Sequence, residues 1–479
     1  MKHYIRIAII LMALLGMWGC GAKKDDNNPS LPPLETAVPA GHSANSQGSN
    51  PSEKSEREID LGNGLKAKFT KDTLTLLGAD ITVALKDDSR VVQRLTGVKT
   101  VVIGEGVSAI GERAFKDDIY KNIESIEIGD SVLTIYPYAF SGCTNLNRII
   151  FGNSLNSIGK CAFEGCDALK DITLGDSVLS IGDYAFGDCK NLRMVEIGRN
   201  LTDVGESIFS GCSNLEIIKT RSSIPKKMFE NCTSLKTAHV KEGATAIGER
   251  AFSGCTALNS VELEGSIEII GERAFFNCTA LPTIAIPDTV TRMGREAFSG
   301  CSALYNVEIS TNGSIETIGE RAFFNCTSLT MINIPQSVIL VKREAFSSCT
   351  ALHQVQMDAR GEAEPLVFED DVFLGCTNIK EFEFVEGVER IGSRVFEGCE
   401  NLTTITIPRS MKKMGERAFN GCNNLLRVQY RGNAQEWGIL ASRSNSMSAF
   451  TGSGLGEWQL QLNNGYPNDR SALQIGYSG

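Results

Sequence analysis

The sequence has little of what would mark a catalytic, nucleic-acid-binding or membrane-spanning chain. It contains only four histidines in 479 residues, His3, His42, His239 and His353, and none has a nucleophile motif or a metal-ligand pattern beside it. No apolar run is long enough to cross a membrane as a helix, which needs about 18 residues or more. The formal charge of −10 disfavours a nucleic acid as partner, because phosphates are bound by a basic face. We therefore predict no enzyme, no cofactor and no metal site.

The first twenty residues contain an export pattern. Lys2 and Arg6 precede the apolar run 7–18, which is too short to span a membrane and is typical of a signal-peptide core. Gly19 and Cys20 follow, and the whole segment resembles a bacterial lipoprotein signal. The resemblance implies that residues 1–19 are a signal peptide and that Cys20 carries a lipid anchor. An ordinary signal peptide cut nearby is the alternative.

A polar segment separates the anchor from the rest of the chain. Lys24, Asp25 and Asp26 resemble the tag that sends some Gram-negative lipoproteins to the outer face of the outer membrane, although a solvated charged spacer is the alternative. Residues 27–58 are rich in Pro, Ser, Asn, Gly and charge, so they bury too little apolar surface to fold. We predict that residues 20–58 form a flexible, lipid-anchored linker on the exterior of the outer membrane.

One motif fills most of the chain. The six residues IGERAF occur four times unchanged, and a motif phenylalanine recurs with a spacing of 23 residues in nine of thirteen intervals, the others being 25, 20, 25 and 27. A period of this length predicts a solenoid in the leucine-rich range. The motif phenylalanines are Phe115, Phe140, Phe163, Phe186, Phe209, Phe229, Phe252, Phe275, Phe298, Phe323, Phe346, Phe373, Phe396 and Phe419.

A single repeat predicts the local structure of one coil. Between Cys326 and Phe346, Ile332 and Ile334 alternate with polar residues, which predicts one short strand with its apolar side inward. Pro335 cannot donate a hydrogen bond to a neighbouring strand and ends it. The Ala-Phe-x-x-Cys spacing at the end of each repeat predicts one helical or 3₁₀ turn.

The GERAF part of the motif predicts a corner. Its first position is Gly in ten of fourteen repeats, and Pro225 at the same position argues against a left-handed backbone there. We predict a tight corner with little room for a side chain, followed by Glu and Arg side chains that point outward and pair weakly between coils.

The coils are predicted to stack, because one coil cannot bury enough apolar surface to fold alone. The pattern Leu-x-x-Ile-x-Ile-Pro-x-x-Val-x-x-Ile-Gly-x-x-Ala-Phe-x-x-Cys resembles the BspA-like leucine-rich repeat family of bacterial surface proteins. The resemblance implies a leucine-rich repeat solenoid, a curved rod with a parallel β-sheet and one strand per coil. We expect an N-terminal β cap at 59–94, about fourteen repeats at 95–430 and a C-terminal cap at 431–479.

Thirteen of the fifteen cysteines, from Cys143 to Cys422, lie three residues after a motif phenylalanine. Stacked Cβ atoms about 4.8 Å apart do not suit a disulfide, which favours about 3.8 Å, and a line of thiols does not converge on a zinc ion. We predict buried free thiols that pack as small hydrophobes.

The outward strand positions form the candidate interaction face, which is polar, mildly acidic and without aromatic residues. The resemblance implies a monomeric adhesin that binds an extracellular protein, a host matrix component or a neighbouring cell. A lipoprotein that captures glycans for uptake, or a structural spacer, is the alternative. The predicted column comprises Thr173, Glu196, Lys219, His239, Glu262, Ala285, Glu308, Asn333, Gln356, Glu383, Thr406 and Gln429.

Overall fold

The computed structural model describes residues 58–82, 85–361, 364–443, 446–453, 459–462 and 472–474. The predicted signal peptide, Cys20, the Lys24–Asp26 tag and the linker up to residue 57 lie outside these residues. The described chain is a parallel β-solenoid, which confirms the predicted fold class. No helix within the described part is long and apolar enough to cross a membrane.

Each coil contributes a strand to a column that we call the long-strand column. Its strands pair in parallel within each sheet, and their burial alternates from residue to residue, which is the two-residue period that the sequence showed. The strands are Thr100–Ile103, Ser125–Ile128, Arg148–Ile150, Asp171–Leu174, Met194–Ile197, Ile217–Thr220, Thr237–Val240, Ser260–Leu263, Thr283–Ile286, Asn306–Ile309, Met331–Ile334, Gln354–Met357, Glu381–Glu383, Thr404–Ile407 and Arg427–Tyr430.

Most coils also form a second strand, so the prediction of one strand per coil is incomplete. These strands, mostly two residues long, pair in parallel as a short-strand column. They are Ala109–Ile110, Thr134–Ile135, Ser157–Ile158, Ser180–Ile181, Asp203–Val204, Ala246–Ile247, Ile269–Ile270, Arg292–Met293, Thr317–Ile318, Leu340–Val341, Leu366–Phe368, Val388–Ile391 and Lys413–Met414.

The ends of the array have structures of their own. Before the first coil, the antiparallel strands Ile59–Gly62, Leu65–Phe69 and Thr73–Leu77 continue into the long-strand column, since the third pairs in parallel with Thr100–Ile103. After the last coil, Gln459–Leu462 extends the column and Ala472–Gln474 pairs with it antiparallel. The helices are the α-helices Ser89–Leu95 and Ala434–Arg443 and the 3₁₀ helices Leu85–Asp87, Asp118–Tyr120 and Ser446–Phe450.

The core is an apolar ladder centred on the motif phenylalanines. Consecutive rings from Phe115 to Phe419 have centroids 4.8 to 5.6 Å apart and are within 17° of parallel. Offset stacking at this separation is favourable for aromatic rings. Phe450 adds a fifteenth member, 4.9 Å from Phe419, inside the segment that the sequence assigned to the C-terminal cap. Identical residues at a fixed period therefore stack on one another across the whole array.

The predicted tight corner is confirmed. A Cβ atom at Gly111 would lie 2.3 Å from the carbonyl oxygen of Ile81 in the preceding coil, and one at Gly248 would lie 2.7 Å from the Lys226 nitrogen. Neither glycine has a positive φ. The close approach of two backbones, and not a left-handed conformation, therefore explains the glycine.

The left-handed residue lies two positions later, where the motif has Arg. All fourteen repeats have a non-glycine residue with φ between 52° and 62° at this position, from Arg113 to Arg417. None of the fourteen is β-branched, which is expected because β-branched residues are strongly disfavoured at positive φ. A second positive φ precedes each motif cysteine, where Gly, Asn, Asp or Ser occurs. Asn231, Asn277 and Asn325, each followed by Cys-Thr, adopt this conformation, and asparagine is one of the few non-glycine residues that do so readily.

The predicted turn at Ala-Phe-x-x-Cys is present as successive single turns. The Cys143 nitrogen donates to the Phe140 oxygen at 3.2 Å, and the Ala114 nitrogen donates to the Gly111 oxygen at 3.2 Å. Both are i to i−3 bonds of the 3₁₀ type. The left-handed residues on either side of the phenylalanine prevent these turns from growing into a helix.

Candidate functional site

The candidate interaction face is formed by the third residue of each long strand, and we call it the outer face. Because strand side chains alternate in direction, these residues point away from the apolar core. The register places Glu196, Lys219, His239 and Glu262 directly beside one another on four adjacent strands. Further along the array it pairs Ala285 with Glu308, Asn333 with Gln356, and Glu383 with Thr406, which itself pairs with Gln429.

The outer face has three interruptions in its hydrogen bonding. The long strands form separate sheets, with breaks after Arg148–Ile150, after Ser260–Leu263 and after Gln354–Met357. Thr173 opens the second sheet, next to Glu196, and its strand does not pair with that of Ile150. The structure thus divides the predicted column into blocks of adjacent side chains.

Several side chains of the outer face already have partners across the coils. The His239 Nδ1 atom lies 2.6 Å from the Glu262 Oε2 atom, and Thr406 donates to the Gln429 side chain at 3.2 Å. Glu383 pairs with Arg431, which follows the long strand two coils away. Such side chains are held in place by their neighbours and offer ordered donors and acceptors to a ligand.

The motif corner carries a second set of charges, and here the outward, weakly paired arrangement predicted from the sequence is wrong for three coils. Glu296, Glu344 and Asp371 occupy the left-handed position and are buried, with 5%, 7% and 2% exposure. Two arginines pair with each carboxylate. Arg273 lies 2.5 Å from Glu296 and Arg321 lies 2.6 Å from Glu344, each from the left-handed position of the preceding repeat. Asp371 is bound instead by Arg394 of the following repeat, at 2.7 Å.

The electrostatic state of Glu296 follows from these contacts. Burial acts to raise the pKa of its carboxyl, but the hydrogen bond from Arg273 and the charges of Arg273, Arg295 and Arg321 outweigh it and hold the pKa below the usual value. The carboxylate is therefore ionised at neutral pH and joins neighbouring coils.

The cysteines are buried, as predicted, but they do more than fill space. All fourteen described cysteines are free and buried. Each of the thirteen that follow a motif phenylalanine donates its S–H to the carbonyl oxygen of the phenylalanine one coil earlier, as from Cys301 to Phe275 at 3.1 Å. Burial raises the pKa of the Cys301 and Cys349 thiols to about 12. These thiols are therefore unreactive structural donors.

The described residues offer no metal centre, since they contain no group of three His, Cys, Asp or Glu side chains placed around a common point. His353 lies on the surface and contacts the Ala351 carbonyl oxygen at 3.2 Å, far along the chain from His239. The structure does not bring His239 and His353 together, and His3 and His42 lie outside the described residues.

Stacked coils with a parallel strand column, an apolar ladder and an outward polar face define a leucine-rich repeat solenoid, a class whose extended surfaces serve as binding scaffolds. The family model described as BspA type leucine rich repeat region (6 copies) matches residues 108–225, 222–353 and 366–453. Since these matches cover more than half of the sequence, the chain belongs to the BspA-type leucine-rich repeat family.

The fold of one solved structure agrees with this assignment. A leucine-rich repeat protein from Bacteroides ovatus is 25% identical, with a TM-score of 0.59, over 85% of this chain and 100% of its own. A leucine rich cell surface protein from Faecalibacterium prausnitzii is 26% identical, with a TM-score of 0.33, over 81% of this chain and 98% of its own. No curated protein matches the sequence significantly.

Proposed function

We propose that this protein is a non-enzymatic scaffold, anchored through Cys20 to the outer membrane of a Gram-negative bacterium, that binds an extracellular protein through its outer face. The observation that carries the proposal is the register that sets polar side chains of successive coils beside one another, as in Glu196, Lys219, His239 and Glu262. A rigid row of donors and acceptors suits a protein surface, with the scaffold acting as a monomer.

The location is supported by two features. The resemblance of residues 1–20 to a lipoprotein signal supplies an anchor, and Lys24, Asp25 and Asp26 supply the tag for export to the cell exterior. The Faecalibacterium relative named above is itself described as a cell surface protein. Protease added to intact cells should remove the solenoid, and complete protection of the protein in intact cells would contradict an outward orientation.

The binding proposal is tested with the full chain in detergent micelles, offered to immobilised extracellular matrix proteins and to a glycan array. We expect saturable binding to a matrix protein that is lost in the double variant Glu262→Lys, Glu308→Lys. The matched control changes Glu272→Lys and Glu416→Lys, two exposed carboxylates at the motif corner, and should bind normally. Binding that both variants lose equally would reflect total charge and would contradict a role for the outer face.

Glycan capture is a second candidate, favoured by one observation. Tyr136 and Tyr184 have 49% and 43% exposure at the motif corner, and Leu133 and Leu179, which precede them in the chain by three and five residues, are exposed as well. Exposed tyrosine rings combine an apolar face with a polar hydroxyl, which suits a sugar. Glycan binding that is lost in the variant Tyr136→Ala, Tyr184→Ala, without any protein binding, would replace the first proposal by this one. Binding of neither a matrix protein nor a glycan would favour the role of a structural spacer.

A further inference from the structure

One coil differs from the others in length, and its surface differs too. The interval from Phe209 to Phe229 is 20 residues, three fewer than the usual period. The shortening falls between the long strand Ile217–Thr220 and Ile224, where the short-strand column is also interrupted. Ile224 keeps only an isolated bridge to Ile247. A depression of about 580 Å³, which we call the notch, lies at the end of this long strand and its neighbours.

The turn that follows the long strand at the notch is fixed by the chain's own hydrogen bonds. The buried Ser222 hydroxyl donates to the Gly198 carbonyl oxygen at 2.8 Å and accepts from the Leu201 nitrogen at 3.3 Å. The Thr220 hydroxyl donates to the Ser222 carbonyl oxygen at 3.0 Å. Because these hydroxyls are occupied, the groups available to a ligand are the charged side chains of the rim.

The notch lies beside a basic segment of an acidic protein. Residues 217–241 contain six Lys and Arg and one Glu, a net charge of +5, whereas the whole chain has −10. Four of the six, Lys226, Lys227, Lys236 and Lys241, have a carboxylate within 4 Å. Lys219 and Arg221 have no such partner among the residues that the structure describes.

The two unpaired cations are placed to act together. Lys219 is the third residue of the long strand Ile217–Thr220 and Arg221 is the first residue after it, and both side chains are exposed and line the notch. Arg221 presents a planar guanidinium that can hold a carboxylate through two parallel hydrogen bonds, and Lys219 can hold a second carboxylate.

We propose that the notch binds a short acidic segment of the protein partner, with one Asp or Glu carboxylate on Arg221 and another on Lys219. The inference rests on the proposed protein-binding function and names the part of the surface that fixes the partner's position. The lining also includes Arg199, Lys241, Glu196, Glu242 and Glu264, so the notch carries four cations and three carboxylates. A short segment with two separated carboxylates can match the two unpaired cations, whereas a long polyanion would bring further negative charges onto the carboxylates of the notch.

The test uses the full chain in detergent micelles and three probes, which are fluorescein-labelled tetraglutamate, tetralysine and polygalacturonate. We expect tetraglutamate to bind saturably at low ionic strength and more weakly as salt is added. The double variant Lys219→Glu, Arg221→Glu should weaken binding about tenfold or more, the loss of at least one charge-assisted hydrogen bond. The variant Lys219→Arg, Arg221→Lys should keep most of it, since both positive charges remain.

A matched control removes two other cations that lack a carboxylate partner among the described residues. Lys380→Glu with Lys413→Glu makes the same change in net charge in a distant part of the array and should bind tetraglutamate like the unmodified chain. Equal affinity of the notch variant and the unmodified chain would overturn the inference, as would equal weakening by both variants. Preference for polygalacturonate over tetraglutamate would overturn it in favour of an anionic glycan.

One further outcome separates this inference from the function on which it rests. In that outcome, a matrix protein loses binding to the Glu262→Lys, Glu308→Lys variant and still binds the notch variant. This result would support the proposed function and would refute the role of the notch in binding the partner. Loss in both variants supports both proposals.

Discussion

Substitution of the buried Glu296 carboxylate allows the contribution of one ion-pair contact between neighbouring coils to the free energy of unfolding to be measured. Its side chain is 6% exposed and lies 2.5 Å from Arg273 and 3.2 Å from Arg295. Hydrogen bonds to charged groups contribute about 1.5–3 kcal/mol each, but Arg273 and Arg295 are 28% and 46% exposed and regain water when the carboxylate is removed. We therefore expect Glu296→Gln to lower the free energy of unfolding by about 2 kcal/mol, which is less than the loss of two such bonds to fully buried arginines would cost.

The assay is hydrogen exchange of the amides in the coils around Phe298, because a solenoid opens locally and a single unfolding midpoint would dilute the effect. Glu320→Gln is the matched control, because the Glu320 side chain is 41% exposed and lies 3.9 Å from Arg295. This substitution should lower the free energy of unfolding by under about 1 kcal/mol. Equal effects of the two substitutions would refute the reasoning.

The same pair gives a pH dependence. The pKa of Glu296 is lowered in the folded chain, so its contribution is present above the unfolded value of 4.5 and is lost as pH falls through the lower folded value. The difference in exchange between the unmodified chain and Glu296→Gln should accordingly shrink in acid. A difference that grows as pH falls would contradict the assignment.

Three other predictions address the core and the backbone. Phe275→Ala should lower the free energy of unfolding by about 3–5 kcal/mol, because the buried Phe275 ring stacks on both neighbouring rings, with centroid distances of 5.2 and 5.1 Å. Phe276→Ala should lower it much less, because Phe276 is only half-buried. Urea titration of the two variants compares these losses. Arg417→Val should be less stable than Arg417→Gly by about 1–2 kcal/mol in thermal unfolding, since φ is 56° there, and equal midpoints would contradict the strain. Ellman's reagent at pH 8 should find fourteen free thiols in the unfolded protein and almost none in the folded one; few thiols after unfolding would indicate disulfides.

The sequence predicts those parts of the fold that repeat at a fixed spacing. The phenylalanine ladder and the long strands follow from the 23-residue period and from pairs such as Ile332 and Ile334, whose alternation is visible over four residues. The short strands do not, because two residues such as Thr317–Ile318 are too few to show a period. Phe450 was missed because it lies 31 residues after Phe419, with the helix Ala434–Arg443 between them.

The candidate site is predictable only in part. The alternation of apolar and polar residues in the strands is enough to place Glu262 and Glu308 outward. The spacing of the motif phenylalanines also shows that one interval is only 20 residues long. The notch is not predictable, because the sequence does not show whether a shorter coil closes up or leaves a gap. Arg at the left-handed position hides that conformation in the sequence, because glycine is the residue usually expected there. The absence of β-branched residues from that position was the signal that could have revealed it.

The chemistry of stacking explains why the interior repeats more closely than the exterior. Stacking of two phenylalanine rings from adjacent coils is favourable, whereas two arginines at the same position of adjacent coils repel each other. Identical IGERAF copies produce such a pair, Arg250 and Arg273. In the next coil the Glu-Arg pair of the motif is reversed to Arg295-Glu296, so Glu296 takes the position of the motif arginine. The Glu296 carboxylate then lies 2.5 Å from the Arg273 guanidinium of the preceding coil. Charged surface positions are thus driven to differ between coils that share a core. That variation leaves the surface able to carry a specific binding site, such as the unpaired Lys219 and Arg221, on a repetitive interior.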